Sequence, residues 1–315
     1  MKIEPDIAAV IDNLPPLALS LETLPILRAR MPISSHPSPG VERTVRVLPG
    51  DPAVTVRLHY PAGLRGLAPC VISIHGGGYV SGTVELDDEV FDHLSATHQV
   101  IGVSVDYRLA PETPYPGPLE DCYRALEWTF THATELGIDS RAIGIRGASA
   151  GGGLAAALAL LARDRGRAQP AFQLLESPML DDRQRWPSSQ LPGLAVWDRE
   201  ANEFGWESYL GQLYGTDDVP AYAAPARSDQ LTGLPATFIS VGGLDGFRDE
   251  SIDYALRLSQ ADVPTELHVY PGAPHCYHFA PQSAVARQSR HDIDHWLDRQ
   301  ITRLTTMSQN TGQRR

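Results

Sequence analysis

"IRGASAGGGLAAALALLARDRG", residues 145–166, sets one serine among small residues and runs directly into an alanine-rich segment. The apolar run "RAIGIRG" (141–147) leads in, and a helix of small residues leads out. Gly147-Ala148-Ser149-Ala150-Gly151 fits the pattern G-x-S-x-G. That pattern marks a turn so sharp that positions two before and two after the serine have no room for a Cβ. Close backbone packing would ask for the same glycines, so the pentapeptide alone decides nothing. Its setting adds the rest. Strand, turn and helix in that order make a nucleophile elbow, with helix N–H groups facing any negative charge that develops there.

The surrounding chain has the rhythm such an elbow needs. "CVISIH" (70–75), "VIGVSVDY" (100–107), "AFQLLE" (171–176), "ATFISVG" (236–242) and "ELHVYPG" (266–272) are short apolar runs, read as strands buried on both faces. Helical patterns near 86–98, 118–136, 150–164, 247–261 and 283–304 alternate with them, which predicts a mostly parallel sheet with helices on both sides. Before them, "RTVRVL" and "AVTVRLHY" alternate apolar and polar residues around "PGDP", an antiparallel hairpin. Residues 181–230 are too long for a crossover and hold Trp186, Trp197 and Trp206. A long aromatic-rich insertion reads as a cover, a cap completed by the short, proline-broken helices of residues 5–31. The expected division is 1–40 and 181–225 as cap, 41–180 and 226–306 as core, and 307–315 as a disordered polar tail.

Composition narrows the function classes. At 315 residues with 42% hydrophobic and 20% charged residues, the chain is an ordinary globular one, large enough for a substantial core. Its net charge of −12 argues against nucleic acid and against an anionic membrane surface as partners. Lys2 is the only lysine, a bias of composition rather than an arginine-built site. Cys70, Cys122 and Cys276 are odd in number and widely spaced, so they read as small buried apolar residues rather than disulfides. The N-terminus, with acids at 4, 6 and 12 and the Pro15-Pro16 pair, is unlike a signal peptide, and no 18-residue apolar run occurs; the expected location is cytoplasmic.

"HGGG", His75 to Gly78, follows the strand "CVISI" directly. No Lys-Ser/Thr comes after it, so a phosphate loop is excluded and an oxyanion hole of main-chain N–H groups is the better use, with His75 orienting the loop. A serine hydroxyl needs a base, and the base needs an acid, both at carboxyl ends of later strands. Asp245 in "GGLDGFRDES" and His275 in "GAPHCYHF" stand there. Asp249 fits better as an acid in the first turn of the next helix, and His278 lies one turn beyond His275. A metal pair of His275 and His278 has no carboxylate partner in the sequence.

Together "HGGG", "DYRLAPE" (106–112), "PGPLEDCYRALEW" (116–128), "GASAGG" (147–152), "SPMLDDR" (177–183), "GGLDGFRDE" (242–250) and "GAPHCYHF" (272–279) resemble the hormone-sensitive-lipase family of α/β-hydrolases. They fall in that family's order and span nearly all of residues 40–305. The chain looks like its bacterial carboxylesterases and acetylesterases, which include enzymes that remove acetyl groups from bulky acetylated alkaloids. The resemblance implies an α/β-hydrolase fold of eight strands with a helical cap, a triad of Ser149, Asp245 and His275, and oxyanion donors on Gly77, Gly78 and Ala150. Tyr107 and Arg108 would brace the oxyanion loop. The family usually carries Asp or Thr at the place of Ala148, which puts the hydrogen bonds beneath the elbow in question.

The expected reaction is hydrolysis of a small-molecule ester through an acyl-enzyme, with no cofactor and no metal. Tyr79, Phe204 and Trp206 are candidate pocket walls; the aromatic-rich cap suggests an apolar or aromatic alcohol, and the lack of a large lipid-interface helix in the sequence favours short-acyl esters. A homodimer is compatible with all of this. An amidase or peptidase and a non-catalytic small-molecule receptor are the rival readings; such receptors lose a triad member, whereas His275 is present.

Overall fold

The computed structural model describes residues 2–13, 18–31 and 36–312; the Pro15-Pro16 pair and the end of the polar tail, 313–315, lie outside the described residues. Eight strands form one sheet: β1 (Val41–Leu48), β2 (Val54–Pro61), β3 (Ala68–Ile74), β4 (Ile101–Asp106), β5 (Ile138–Ala148), β6 (Phe172–Glu176), β7 (Ala236–Gly242) and β8 (Thr265–Tyr270). Their order is β1-β2-β4-β3-β5-β6-β7-β8. β1 pairs with β2 and β2 with β4 antiparallel, the hairpin closing at Leu48 opposite Val54. From β4 to β8 every pairing is parallel. Parallel neighbours require crossovers, and helices supply them: α3 (Asp88–His98), α4 (Gly117–Thr131), α5 (Ala150–Arg165) and α7 (Arg248–Gln260), while α8 (Ala284–Gly312) follows the last strand. The short α1 (Pro5–Ile11) and α2 (Leu24–Ala29) precede the sheet, and α6 (Arg199–Leu210) lies in the long insertion.

Alternate side chains of each strand serve opposite layers. Ile72 and Ile74 of β3 face the layer holding Leu119, Leu126, Leu154 and Leu158 from α4 and α5. Val71 of β3, with Phe172 and Leu174 of β6, faces Phe91 and Leu94 of α3 and Trp296 and Leu297 of α8. β8 departs from the expected two-sided burial. It is the edge strand, and only Tyr270 along it is fully buried. Helix α8 continues to Gly312, past residue 307 where the disordered tail is expected.

The N-terminal helices go to two different places. Glu4 before α1 donates its N–H to the Gly272 carbonyl at 3.0 Å, and Ile7 packs with Tyr270, Ala273 and Tyr277. α1 thus backs the loop carrying His275. α2 instead supplies Arg28, whose guanidinium bonds the carbonyls of Val80 and Ala110 beside the glycine loop.

Candidate active site

At the carboxyl end of β5 the chain turns into α5 through Ser149, held at φ 56°, ψ −124°. Few residues adopt that left-handed conformation, and it persists only where the surroundings over-determine it. Ser149 donates its N–H to the Glu176 carbonyl at 2.8 Å and accepts from the Met179 N–H at 3.0 Å. A Cβ on Gly147 would stand 2.1 Å from the Gly151 carbonyl oxygen, and one on Gly151 would stand 2.0 Å from that of Ile74. The two glycines are therefore steric requirements of the elbow.

Loops after β7 and β8 bring the other two groups to the same rim. His275 Nε2 lies 3.0 Å from Ser149 Oγ, and its Nδ1 lies 2.8 Å from Asp245 Oδ2. The second Asp245 oxygen accepts the Phe247 N–H at 2.9 Å, which fixes the carboxylate's rotation. Phe247 also meets the imidazole edge-on at 5.1 Å. Asp245 and His275 are buried, and Ser149 keeps 8% of its surface exposed. Burial by itself disfavours a charged imidazole. The charge and hydrogen bond of Asp245, with a contribution from Cys276, outweigh it and hold the His275 pKa well above the ordinary histidine range.

The glycine loop after β3 stands against the elbow: a Cβ on Gly76 would lie 3.3 Å from the Ser149 Cβ. Gly77 and Gly78 take φ +119° and +61°. The Gly77 carbonyl is occupied by the N–H groups of Val80 and Ser81 and by the Ser81 hydroxyl. Among the described residues, the N–H groups of Gly77 and Gly78 have no acceptor. Ala150 opens α5, where the N–H has no intrahelical partner and no side chain caps it. His75 holds the loop from below: its Nδ1 bonds the Gly76 carbonyl at 2.9 Å, and its ring stacks on Tyr107 at 4.2 Å. The Tyr107 hydroxyl donates to the His75 carbonyl at 2.9 Å. Arg108 binds Asp121 of α4 through two guanidinium nitrogens, each at 2.8 Å.

The rival positions fall elsewhere. Asp249 sits in the first turn of α7 and accepts the Ser188 N–H. His278 is exposed on the turn after His275, against the rings of Tyr277 and Phe279. Cys70 and Cys122 are buried as expected, but Cys276 is only half-buried, at φ 58°.

Two expected pocket walls are packed away. Tyr79 stacks on Tyr209 at 4.1 Å and donates its hydroxyl to the Met179 carbonyl, and Trp206 lies beside it at 5.2 Å. Both are buried, because Tyr79 of the glycine loop and Trp206 and Tyr209 of α6 pack together in the main core. Phe204 is half-buried on the same helix. The aromatic side chain that does cover the glycine loop is Trp197, just before the Asp198 that caps α6. Its sequence signal was no stronger than its membership of a tryptophan-rich insertion. Trp197 and Phe247 line a narrow cleft that reaches Asp245.

Comparison with known proteins agrees with this architecture. Residues 71–279 match a family described as alpha/beta hydrolase fold. The chain is 35% identical to esterase LipI of Mycobacterium tuberculosis over 84% of this chain and 85% of that one. It is 34% identical to carboxylesterase NlhH of the same organism over 87% and 88%. A solved structure, a bacterial heroin esterase, superposes with TM-score 0.89 at 39% identity, covering 95% of this chain and 98% of its own. Family match, fold and shared length together make the chain a member of the α/β-hydrolase family, on its hormone-sensitive-lipase-like esterase branch.

Proposed function

We propose that the protein is a serine carboxylesterase acting on short-acyl, acetyl to butyryl, esters of apolar or aromatic alcohols. The observation that carries the reading is the row Asp245–His275–Ser149, at 2.8 and 3.0 Å, beside three N–H groups that lack acceptors. His275 takes the Ser149 proton as Oγ attacks the ester carbonyl carbon, and Asp245 stabilises the imidazolium. The carbonyl oxygen becomes an oxyanion and is received by the N–H groups of Gly77, Gly78 and Ala150, which cost no reorganisation because the glycine backbone already aims them. His275 returns the proton to the leaving alcohol. Water, activated by the same imidazole, then hydrolyses the acyl-enzyme. No cofactor or metal enters the balance of these steps.

Trp197 on the glycine loop and Phe247 against the His275 ring bring bulk close to the reacting groups, which supports a short acyl chain; Phe204 is the remaining candidate wall. The N-terminal segment and residues 181–225 are assigned as the cap over this rim. Hydrolysis of p-nitrophenyl acetate, butyrate and decanoate by wild type and Ser149→Ala tests the assignment. The short esters should be preferred, and the variant should be inactive against all three. Full activity in Ser149→Ala would remove the nucleophile, whereas a decanoate optimum would overturn the acyl preference alone.

A further inference from the structure

On the layer of α3 and α8, at the end of the sheet from which the parallel strands start, two imidazoles converge on one carboxylate. His93 Nε2 lies 2.9 Å from both oxygens of Asp294, and His98 Nε2 lies 3.1 Å from Asp294 Oδ1. Among the described residues, this is the one group of three metal-ligating side chains whose donor atoms all lie within 4.8 Å of one another. His98 comes from the last turn of α3, shortly before β4, so the group is at the opposite end of the strands from Ser149. The mechanism does not use it.

Hydrogen-bond accounting narrows what lies between His98 and Asp294. Asp298, one turn along α8 from Asp294, faces His98 Nδ1 at 2.6 Å. A carboxylate can only accept, so Nδ1 carries the hydrogen. In neutral His98 the Nε2 lone pair then points at an Asp294 oxygen, which offers only lone pairs in return. Either a proton on Nε2, which would make His98 an imidazolium bonded to both carboxylates, or a metal ion must lie between the facing lone pairs at 3.1 Å. The arrangement of a carboxylate, the far nitrogen of an imidazole and a metal on the near one is the recurring way in which a ligating histidine is oriented. We propose that His93, His98 and Asp294 form a binding site for zinc, or a divalent ion of the same borderline class, that pins α8 to α3, with Asp298 orienting His98.

The distances suit this ion. Zinc with bonds of about 2.0–2.1 Å in tetrahedral geometry separates its ligand atoms by roughly 3.3 Å. The two nitrogen–oxygen spacings of 2.9 and 3.1 Å need to open by only a few tenths of an ångström, and the ligand nitrogens of the two imidazoles stand within 4.8 Å of each other. Asp294 keeps 22% of its side-chain surface exposed and His93 keeps 36%, which leaves an entry path and a fourth position for water. The His98 side chain, 3% exposed, is the fixed member. Two nitrogens and one oxygen select zinc over magnesium or calcium, which prefer oxygen alone.

The test uses the untagged full chain, stripped with chelator and titrated with zinc chloride and, separately, with cobalt(II) chloride as a coloured reporter. Wild type should take up a single equivalent, gain thermal stability with it, and show a visible cobalt spectrum of low coordination number. His93→Gln and Asp294→Asn should lose the binding and the stabilisation. Asp298→Asn keeps every ligand and should weaken binding by about 10–100-fold. Ester hydrolysis by the metal-free variants should equal that of metal-free wild type, since the group is remote from Ser149. Equal zinc uptake by wild type, His93→Gln and Asp294→Asn would put the ion elsewhere and overturn the site. So would a wild-type chain that takes up none.

Discussion

The far edge of the Trp197 indole is seated on Gly78: a Cβ built on that glycine would stand 2.0 Å from the ring. The contact joins the start of the insertion's main helix to the loop whose N–H groups would receive the oxyanion. It is fixed from both sides. Gly78 has φ +61°, and the indole Nε1–H donates to Asn202 Oδ1 at 3.2 Å one turn into α6. Bulk above the oxyanion loop is therefore set by a residue of the insertion, not of the core.

Replacing that ring changes which acyl groups fit. Trp197→Ala should raise the ratio of kcat/KM for decanoate over acetate by at least about tenfold, the scale of discrimination that a few methylenes carry in an apolar pocket. Activity on acetate should persist, because the hydrogen bonds that hold Ser149, His275 and Asp245 do not involve the indole. An unchanged ratio would mean that Trp197 does not bound the acyl site.

The pH dependence follows from Asp245. Only neutral His275 can accept the serine proton, so kcat/KM falls as pH drops through its folded pKa. That pKa is raised, which puts the acid limb above the ordinary value of about 6.5. The same interaction stabilises the fold fully below about 6.5 and is lost as pH climbs through the folded value. In Asp245→Asn the main opponent of burial is removed. The limb should then move down, with kcat lower by roughly 10⁴-fold. A limb that stays in place in the variant would show that Asp245 does not control the imidazole.

The elbow, the glycine loop and the strand-helix alternation are legible in sequence because each is local: Gly147 and Gly151 are dictated by backbone contacts a few residues apart or at the end of a neighbouring strand. Asp245 and His275 are legible for a related reason, since parallel topology sends the ends of β7 and β8 to the rim where β5 ends. Tyr79 and Trp206 were not readable in the same way. Their residue type fits a pocket wall and a packed cap equally well, and only the meeting of the glycine loop with α6 buries them against each other. The covering role of Trp197 depends on a meeting of two segments far apart in sequence, with no periodic signal. The group on α3 and α8 is hidden for the same reason, because its histidines and its aspartate come from opposite ends of the chain.

The bracing of the oxyanion loop can be measured separately from the triad. Tyr107→Phe removes the hydroxyl that donates to the buried His75 carbonyl and keeps the ring stacked on the imidazole. An unsatisfied buried acceptor costs about 1–3 kcal/mol. Because the loop's N–H groups act on charge that exists only in the transition state, the loss should appear in kcat with KM nearly unchanged. A rise in KM at constant kcat would assign Tyr107 to substrate binding instead.

Beneath the elbow, where Ala148 offers no polar side chain, the nearby charges are organised by Arg146. Its guanidinium reaches Glu176 at 2.6 Å, Asp87 at 3.1 Å and the Ser73 hydroxyl at 3.0 Å, and the Ser73 hydroxyl also bonds Asp87 at 2.9 Å. Arg146 and Asp87 are buried and Glu176 is mostly so. Glu176 also lends its main-chain carbonyl to the Ser149 N–H, so the ion pair and the strained turn share one residue. Arg146→Met strips the cation from one buried and one mostly buried carboxylate. The expected loss is about 3–5 kcal/mol of stability, read as a lower denaturation midpoint. Arg146→Met combined with Glu176→Gln and Asp87→Asn removes the stranded charges and should recover much of that loss. If the single and triple variants are equally destabilised, packing around the arginine side chain, rather than its charge, is what the elbow rests on.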